Sequence, residues 1–540
     1  MKLTLIVAAG ACAVVAACAR GPAPNDAPAS VGASVSSLAR PRTPPGCSRI
    51  PGPYPAMQFA PPATQSPPQL SIAVARDSTV IASMIREGIG ASSHVAADLQ
   101  HLTDVIGPRL TGSAELKRAN DWTQGKFRDY GMDSTWQEAW GFGCAWTRGP
   151  MSIRMIAPQS RWLIGESWAW APGTEGVARG PVVLVDAKSR DEFAQRFAGK
   201  LRGAWVMTSP AFPIINPDGP KPNAVDSVGR LKTIQALFAQ PQNDAERDFR
   251  QRRTDLLAAE GIAGLVLDAS KEEALLNMSG SPRAVSPVPQ IVVPHETFTQ
   301  FQRLAAAGQP AIVEVSISNE FSAAPVTAYN TVAELRGTER PDEVVLLGAH
   351  LDSWDLGTGT TDNGTGSIAV LEAARILKAS GARPRRTIRF ALFSGEEEGL
   401  FGSQEYAKAH AAELSKFQAV TVLDNGTGRV TGMALQGRDE LADLWSGLFA
   451  PLSSLGGFVV RRGNKGGTDH LSFLPYGVPG FNFDQESRGY DHTHHSQVDT
   501  FDHAVIEDIQ QAATVMAATA YELANLKELL PRTEKKELKP

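Results

Sequence analysis

Histidines and carboxylates gather at five places along the chain: His350-Leu351-Asp352, Asp362, the run Glu396-Glu397-Glu398, Asp424, and the stretch Asp491-His492-Thr493-His494-His495. Imidazole and carboxylate are the ligands that Zn2+ takes, and two such ions about 3.5–4 Å apart can activate one shared water while polarising a carbonyl. Five side chains suffice for a pair: one bridging carboxylate, and one His plus one terminal carboxylate for each ion. His350, Asp362, Glu397, Asp424 and His495 make that set. Their negative charges, with one bound hydroxide, balance the charge of two zinc ions, so the cluster can be buried without a large residual charge. Glu396 is then left free as general base. Each feature also has a plainer reading. A His-x-Asp after a strand suits a hydrogen-bonded loop pair, and three adjacent carboxylates suit a solvated helix N-terminus. What speaks for the metal reading is that the same pattern recurs at several strand ends.

The elements that must position these groups are legible in the periodicity. Val344 to Leu347 is a continuous apolar run with β-branched members, the mark of a strand buried on both faces of a parallel sheet, and His350 falls just past its end. Functional groups in open α/β sheets collect at the carboxyl ends of strands. Asp352 is placed to hold the other ring nitrogen of His350 and fix its tautomer. The Gly- and Thr-rich segment that follows returns Asp362 toward the strand end. Ser367 to Ser380 reads as a helix with Ile368, Leu371, Ala374 and Leu377 on one side and a stop at Gly381. Thr387 to Phe393 is the next strand and delivers the glutamates; Ala419 to Leu423 delivers Asp424; Val478 to Phe483 is a fourth, and Ala504 to Leu526 a closing helix. The expected class is α/β, a mostly parallel mixed sheet sandwiched by helices.

The remainder of the 540 residues sets boundaries. A net charge of −5 and the lack of a long basic run give no argument for nucleic acid. Residues 1–18 read as a signal: Lys2 precedes the apolar run from Leu3 to Ala17, which is short for a membrane span. It ends Val15-Ala16-Ala17-Cys18, which resembles the bacterial lipobox whose Cys is lipidated. The expectation is a periplasmic or outer-membrane lipoprotein attached through Cys18, otherwise a secreted protein cleaved after a small residue. Residues 19–70 hold 13 of the 37 prolines and read as an extended Pro/Ala-rich tether. Folding is expected to begin near Ile72. Residues 71–150 open the catalytic unit and include a helix from Leu116 to Tyr130 after the turn Ile106 to Ser113. Residues 151–318 change texture, with short β runs at 181–185, 203–207, 263–267 and 289–294 and a charged helix around 243–260. They read as an insertion in which no catalytic spacing is visible. Residues 319–526 complete the catalytic unit, and 527–540 form a charged tail. Cys47 and Cys144 are the two cysteines outside the signal, and their pairing stays open at this level.

The segments AHLDSWDLGTGTTDNGTG, FSGEEEGLFGS, TVLDNGTG, GGTDHLSFLPYGVPG and HHSQVDT, with IGPRLTGS nearer the start, resemble those of the di-zinc exopeptidases related to bacterial leucyl aminopeptidases and to plasma glutamate carboxypeptidase (carboxypeptidase Q). The inserted block resembles the β-rich protease-associated domain of such enzymes, for which a role in capping the cleft is implied. The resemblance makes Glu396 the acid/base and Glu397 a ligand, and puts Glu398 outside the pattern, at the periphery. It makes Asp362 the bridge, groups His350 with Asp424 at one ion and Glu397 with His495 at the other, and implies a cis peptide between Asp362 and Asn363. His495 is chosen over His492 and His494 because it begins His-Ser-x-x-Asp-Thr, with Asp352 and Asp499 as supporting carboxylates. The chain departs from the pattern where some members place an oxyanion-stabilising Tyr: Lys465 precedes Thr468-Asp469-His470 by that interval, so Lys465 takes part of the role or the donor lies elsewhere. His470 is equally a substrate contact or a loop residue. The implied reaction is hydrolysis of a terminal peptide bond through a metal-bridging water activated by Glu396. Amino- and carboxypeptidase action are not separated by these motifs: the first needs an acidic group for the free amine, the second a cation for the carboxylate. A non-catalytic receptor-like member on this scaffold would have lost ligands, and a glutaminyl-cyclase-like one would use a single zinc without the insertion. Oligomeric state is left open.

Overall fold

In a computed structural model the protein is described over residues 77–211 and 243–533. The signal and lipidation site at Cys18, the tether, Ile72 and Cys47 therefore lie outside the described residues, as does the end of the charged tail; Cys144 is disulfide-bonded. Among the described residues no helix is long and apolar enough to cross a membrane.

Eight strands form the first sheet. At its centre Arg386–Phe393, Arg340–His350, Phe417–Val422 and Gly480–Gln485 run parallel to one another. The flanks are antiparallel: Val326–Leu335 and Ser134–Gly143 on one side, Val430–Ala434 on the other, with Val459–Arg461 paired beyond it. The fold is thus α/β around a mixed sheet, parallel where it is buried deepest. Every residue of Arg386–Phe393 is buried, as expected of a strand covered on both faces. Alternation divides the central strand between two cores. Val345 and Leu347 pack with Leu371 and Met516 beneath the helices Thr365–Ala379 and Ile506–Asn525. Val344 and Leu346 pack with Phe393, Tyr406, Phe417 and Phe473 on the opposite side. The helix Ser78–Ile89 lies against Ile506–Asn525 so closely that a Cβ at Gly88 would meet Thr514 Oγ1 at 1.9 Å.

Register levels the carboxyl ends. His350 stands opposite Phe393, the Leu351 amide donates to the Phe393 carbonyl at 2.7 Å, and the Leu423 amide donates to the Gly348 carbonyl at 3.1 Å. Whatever follows these strands meets at one rim. His350 is itself the last residue of its strand, rather than just beyond it, because this pairing extends the ladder past the apolar run. The three glutamates do not start a helix: Ser394 to Leu400 forms turns, and the helix begins at Phe401. The predicted helices are found within about two residues of their expected bounds. The strands Ser134–Gly143 and Val326–Leu335 carry no sequence expectation; they gain their place from pairing with each other and with Arg386–Phe393.

Residues 151–317 build a second sheet of eight strands, with Ala178–Leu184, Trp205–Met207, Gly264–Asp268 and Gln290–Val293 parallel at its centre. Helices Asp244–Ala259 and His295–Ala306 belong to this block, which has its own apolar cores, so it is mixed α/β rather than merely β-rich. The chain enters and leaves it side by side, through the paired strands Trp146–Thr147 and Glu320–Phe321. Leu347 is fully buried in the larger core. Leu347→Ala is expected to lower unfolding free energy by about 2–5 kcal/mol, and Val459→Ala, at an exposed site, by less than about 0.5 kcal/mol, both read from denaturant midpoints.

Candidate metal centre

At the rim of the first sheet the ends of three parallel strands bring His350, Asp362, Glu396, Glu397 and Asp424 together. His350 Nε2 lies 3.3 Å from Asp362 Oδ1, 3.4 Å from Asp424 Oδ1 and 3.9 Å from Glu396 Oε2. The loop after Gly480–Gln485 adds His495, whose Nε2 is 3.0 Å from Glu397 Oε2 and 3.4 Å from Asp362 Oδ2. Asp362 stands between the two histidines. The peptide joining it to Asn363 is cis. Three overlapping sets of donor atoms lie within 4.8 Å of one another: His350 with Glu396 and Asp424, His350 with Asp362 and Glu397, and Asp362 with His494 and His495.

The rim is held from below. Both oxygens of Asp499 are used on backbone: Oδ1 accepts from the Thr361 amide at 2.6 Å and Oδ2 from the Asp362 amide at 3.1 Å. Burial pushes this carboxyl up to about 7 against those two donors. Asp352 supports His350 differently from the expectation. Its backbone carbonyl, at 3.1 Å, accepts from His350 Nδ1, while its carboxylate stands 3.6 Å away. That carboxylate accepts from Thr111 Oγ1 at 3.1 Å and from the Glu397 amide at 3.2 Å. Arg109 fastens the loop from the opposite side. Fully buried, it donates to the carbonyls of Leu351, Gly107, Thr358 and Gly359 at 2.6–3.0 Å. Arg109 and Thr111 lie in IGPRLTGS, a segment whose resemblance is visible in the sequence although the positioning role of its side chains is not.

The electrostatics ask for a cation. Burial, with the neighbouring carboxylates, drives Glu396 and Glu397 well above the usual carboxylate range, His350 opposing. Burial disfavours protonation of His350, yet Asp424 and Glu396 raise it well above its ordinary value. His350 Nε2 and Asp362 Oδ2 are buried without a hydrogen-bond partner. Polar atoms so placed carry a desolvation cost that a shared ligand offsets. Two imidazoles and several carboxylates are a donor set suited to zinc.

Other expectations meet the structure less simply. Lys465 donates to the Phe483 carbonyl at 2.8 Å and pairs with Asp484 at 3.2 Å, so an oxyanion role would require it to leave that pair. His470 is fully buried against the Lys465 backbone, neither ring nitrogen in good hydrogen-bond geometry, and burial lowers it to about 3. It does not line an open cleft. Glu398, expected at the periphery, is 6% exposed. The turn at 397–400 folds it inward, and burial next to Asp352 raises it well above the carboxylate range. His494 stacks on His495 at 3.7 Å and lies 3.8 Å from Asp362 Oδ2, while His495 in addition reaches Glu397; His492 is exposed. Tyr490 has no spacing signal. Its ring packs edge-on to His494 at 5.1 Å, and burial with the charges of Asp362, Asp424 and Glu397 drives its phenol well above the usual range.

Residues 330–520 match Peptidase family M28. Carboxypeptidase Q of Mus musculus is 28% identical over 439 residues, covering 80% of this chain and 86% of its own. The crystal structure of the Peptidase M28 precursor from Shewanella amazonensis SB2B superposes with a TM-score of 0.68 at 26% identity, covering 85% of this chain and 99% of the other. BSAP, a zinc aminopeptidase from Bacillus subtilis, shares the fold with a TM-score of 0.57 at 18% identity over 81% of this chain and 98% of its own. The fold and the donor set are those of the zinc exopeptidase class, and the likeness to peptidase family M28 lies in residues 330–520 and in the overall fold.

Asp499 orients Asp362 through the backbone without touching the donor atoms themselves. Asp499→Asn is expected to weaken zinc retention roughly 10–100-fold in a chelator competition, with the circular dichroism spectrum unchanged.

Proposed function

We infer that the protein is an exported di-zinc exopeptidase that hydrolyses the terminal bond of short peptides. The observation that carries this reading is the convergence, from distant parts of the chain, of His350 and His495 on Asp362 at 3.3 and 3.4 Å. The match of residues 330–520 to Peptidase family M28 and the similarity to carboxypeptidase Q support it. His350 with Asp424, and Glu397 with His495, would hold one ion each with Asp362 between them, and bound zinc there supplies an acidified water and a polarised substrate carbonyl.

The chain's own residues do the rest. Glu396 accepts a proton from the attacking water and returns it to the leaving amine nitrogen as the C–N bond breaks. Asp499, Asp352 and Arg109 keep the donors in place. Glu396→Ala is expected to retain the metal and lose roughly 10²–10⁴-fold in turnover of a free dipeptide, whereas His495→Ala loses metal first. Full zinc occupancy and full activity in His495→Ala would sink the assignment.

Export and lipid anchoring rest on the N-terminal signal and its Cys18. Cys18→Ser is expected to move the protein from the membrane to the soluble fraction and abolish labelling by a palmitate analogue; unchanged fractionation rules out the anchor.

A further inference from the structure

Which end of a peptide an exopeptidase grips depends on the charge that faces the metal ligands: an anion for a free amine, a cation for a free carboxylate. Among the described residues three cations act on this rim. Arg109 is fully buried, with its donors on four loop carbonyls. Lys465 is engaged by Asp484 and the Phe483 carbonyl. The third is Lys271, and it comes from the inserted block.

Lys271 lies just beyond the carboxyl end of strand Gly264–Asp268 in the second sheet. From there the chain crosses to the histidine loop and is fastened along it. The Leu276 amide donates to Gln497 Oε1 at 2.8 Å, Gln497 Nε2 donates to the Ala274 carbonyl at 3.3 Å, and the Met278 amide donates to the His495 carbonyl at 2.9 Å. Lys271 Nζ donates to the Asp491 carbonyl. These contacts hold the ammonium where its charge acts on His494 and His495, with further N–H groups to offer. The carboxylates whose charge reaches it are Asp491, Asp362 and Asp499. Asp499 is used on two amides, and Asp362 lies between His350 and His495. Partial burial lowers Lys271 to about 8, which leaves it mostly protonated at neutral pH. Of the other acidic groups of the rim among the described residues, Glu397 and Asp424 belong to the candidate ligand set, Glu396 is the acid/base of the reading above, and Asp469 and Glu398 are buried.

We propose that Lys271 receives the terminal carboxylate of the substrate, so that the inserted block selects for free-acid ends and the protein acts as a carboxypeptidase or dipeptidase. This rests on the peptidase reading above. It assigns the insertion a direct part in substrate recognition rather than only a cover over the cleft.

The test uses the zinc-loaded full chain, its Lys271→Met and Lys271→Arg variants, and one dipeptide sequence in three forms: free, N-acetylated and C-amidated, with zinc content measured throughout. The wild type is expected to cleave the free and N-acetylated forms and to act poorly on the amide. Lys271→Met should raise KM for free-acid substrates about 10- to 100-fold more than for the amide, at unchanged zinc content, and Lys271→Arg should restore most of the loss. A wild type that cleaves the amide as readily as the acid and rejects the N-acetylated form overturns the Lys271 assignment while leaving the peptidase intact. So does an equal loss on acid and amide that tracks zinc content, since Lys271 would then only brace the histidine loop. No chelator-sensitive cleavage of any of the three by the wild type overturns the peptidase reading itself, and this assignment with it.

Discussion

Repulsion between carboxylates is the constraint on which this structure turns. Asp362, Glu396, Glu397 and Asp424 are packed around one imidazole with their side chains almost wholly buried. At an effective dielectric near 20, two like charges about 4 Å apart repel by about 4 kcal/mol, and burial adds to that. Arg109 is the buried guanidinium nearest to hand, but it spends its donors on carbonyls and faces the carboxylates only through its field. An arrangement of this kind persists only where the scaffold is rigid enough to hold it and a bound cation compensates it.

Rigidity comes from the parallel strands. Their ladder fixes His350, Phe393 and Leu423 level with one another, so the chain leaving each strand begins at the same height. Helices on one face and aromatic side chains on the other leave the strands no freedom to slide. The loops that carry the ligands are then short or individually tied: Asp362 by Asp499, Glu397 by Asp352, and the 351–359 segment by Arg109. Each tie is a hydrogen bond to a charged group, worth about 1.5–3 kcal/mol, which is enough to choose one loop conformation.

The inserted block changes how the site is to be viewed. Its 269–278 segment hydrogen-bonds to the loop that carries His495, so a change in either unit is felt at the ligand. A second sheet that looked chemically silent in its spacing thereby borders the reacting centre. The 269–278 segment and the candidate metal ligands come from separate sheets, and they meet through contacts that span more than 200 positions of sequence.

Part of the candidate centre was readable from residue order because several of its groups follow apolar runs: His350 after Val344 to Leu347, the glutamates after Thr387 to Phe393, Asp424 after Ala419 to Leu423. Burial on both faces forces such runs to be continuous, and parallel pairing forces their ends together, so local pattern carries global information. The antiparallel strands Ser134–Gly143 and Val326–Leu335 were not readable, since their place depends on partners rather than on an apolar run of their own. Nor was the inward turn of Glu398, the capture of Lys465 by Asp484, or the reach of Lys271 to Asp491. The sequence by itself determined which side chains could bind metal and which strands would present them, because those follow from side-chain chemistry and periodicity. Only the tertiary structure decided which charges stay engaged and which face the rim, because a hydrogen bond between residues far apart in the chain leaves no trace in local spacing.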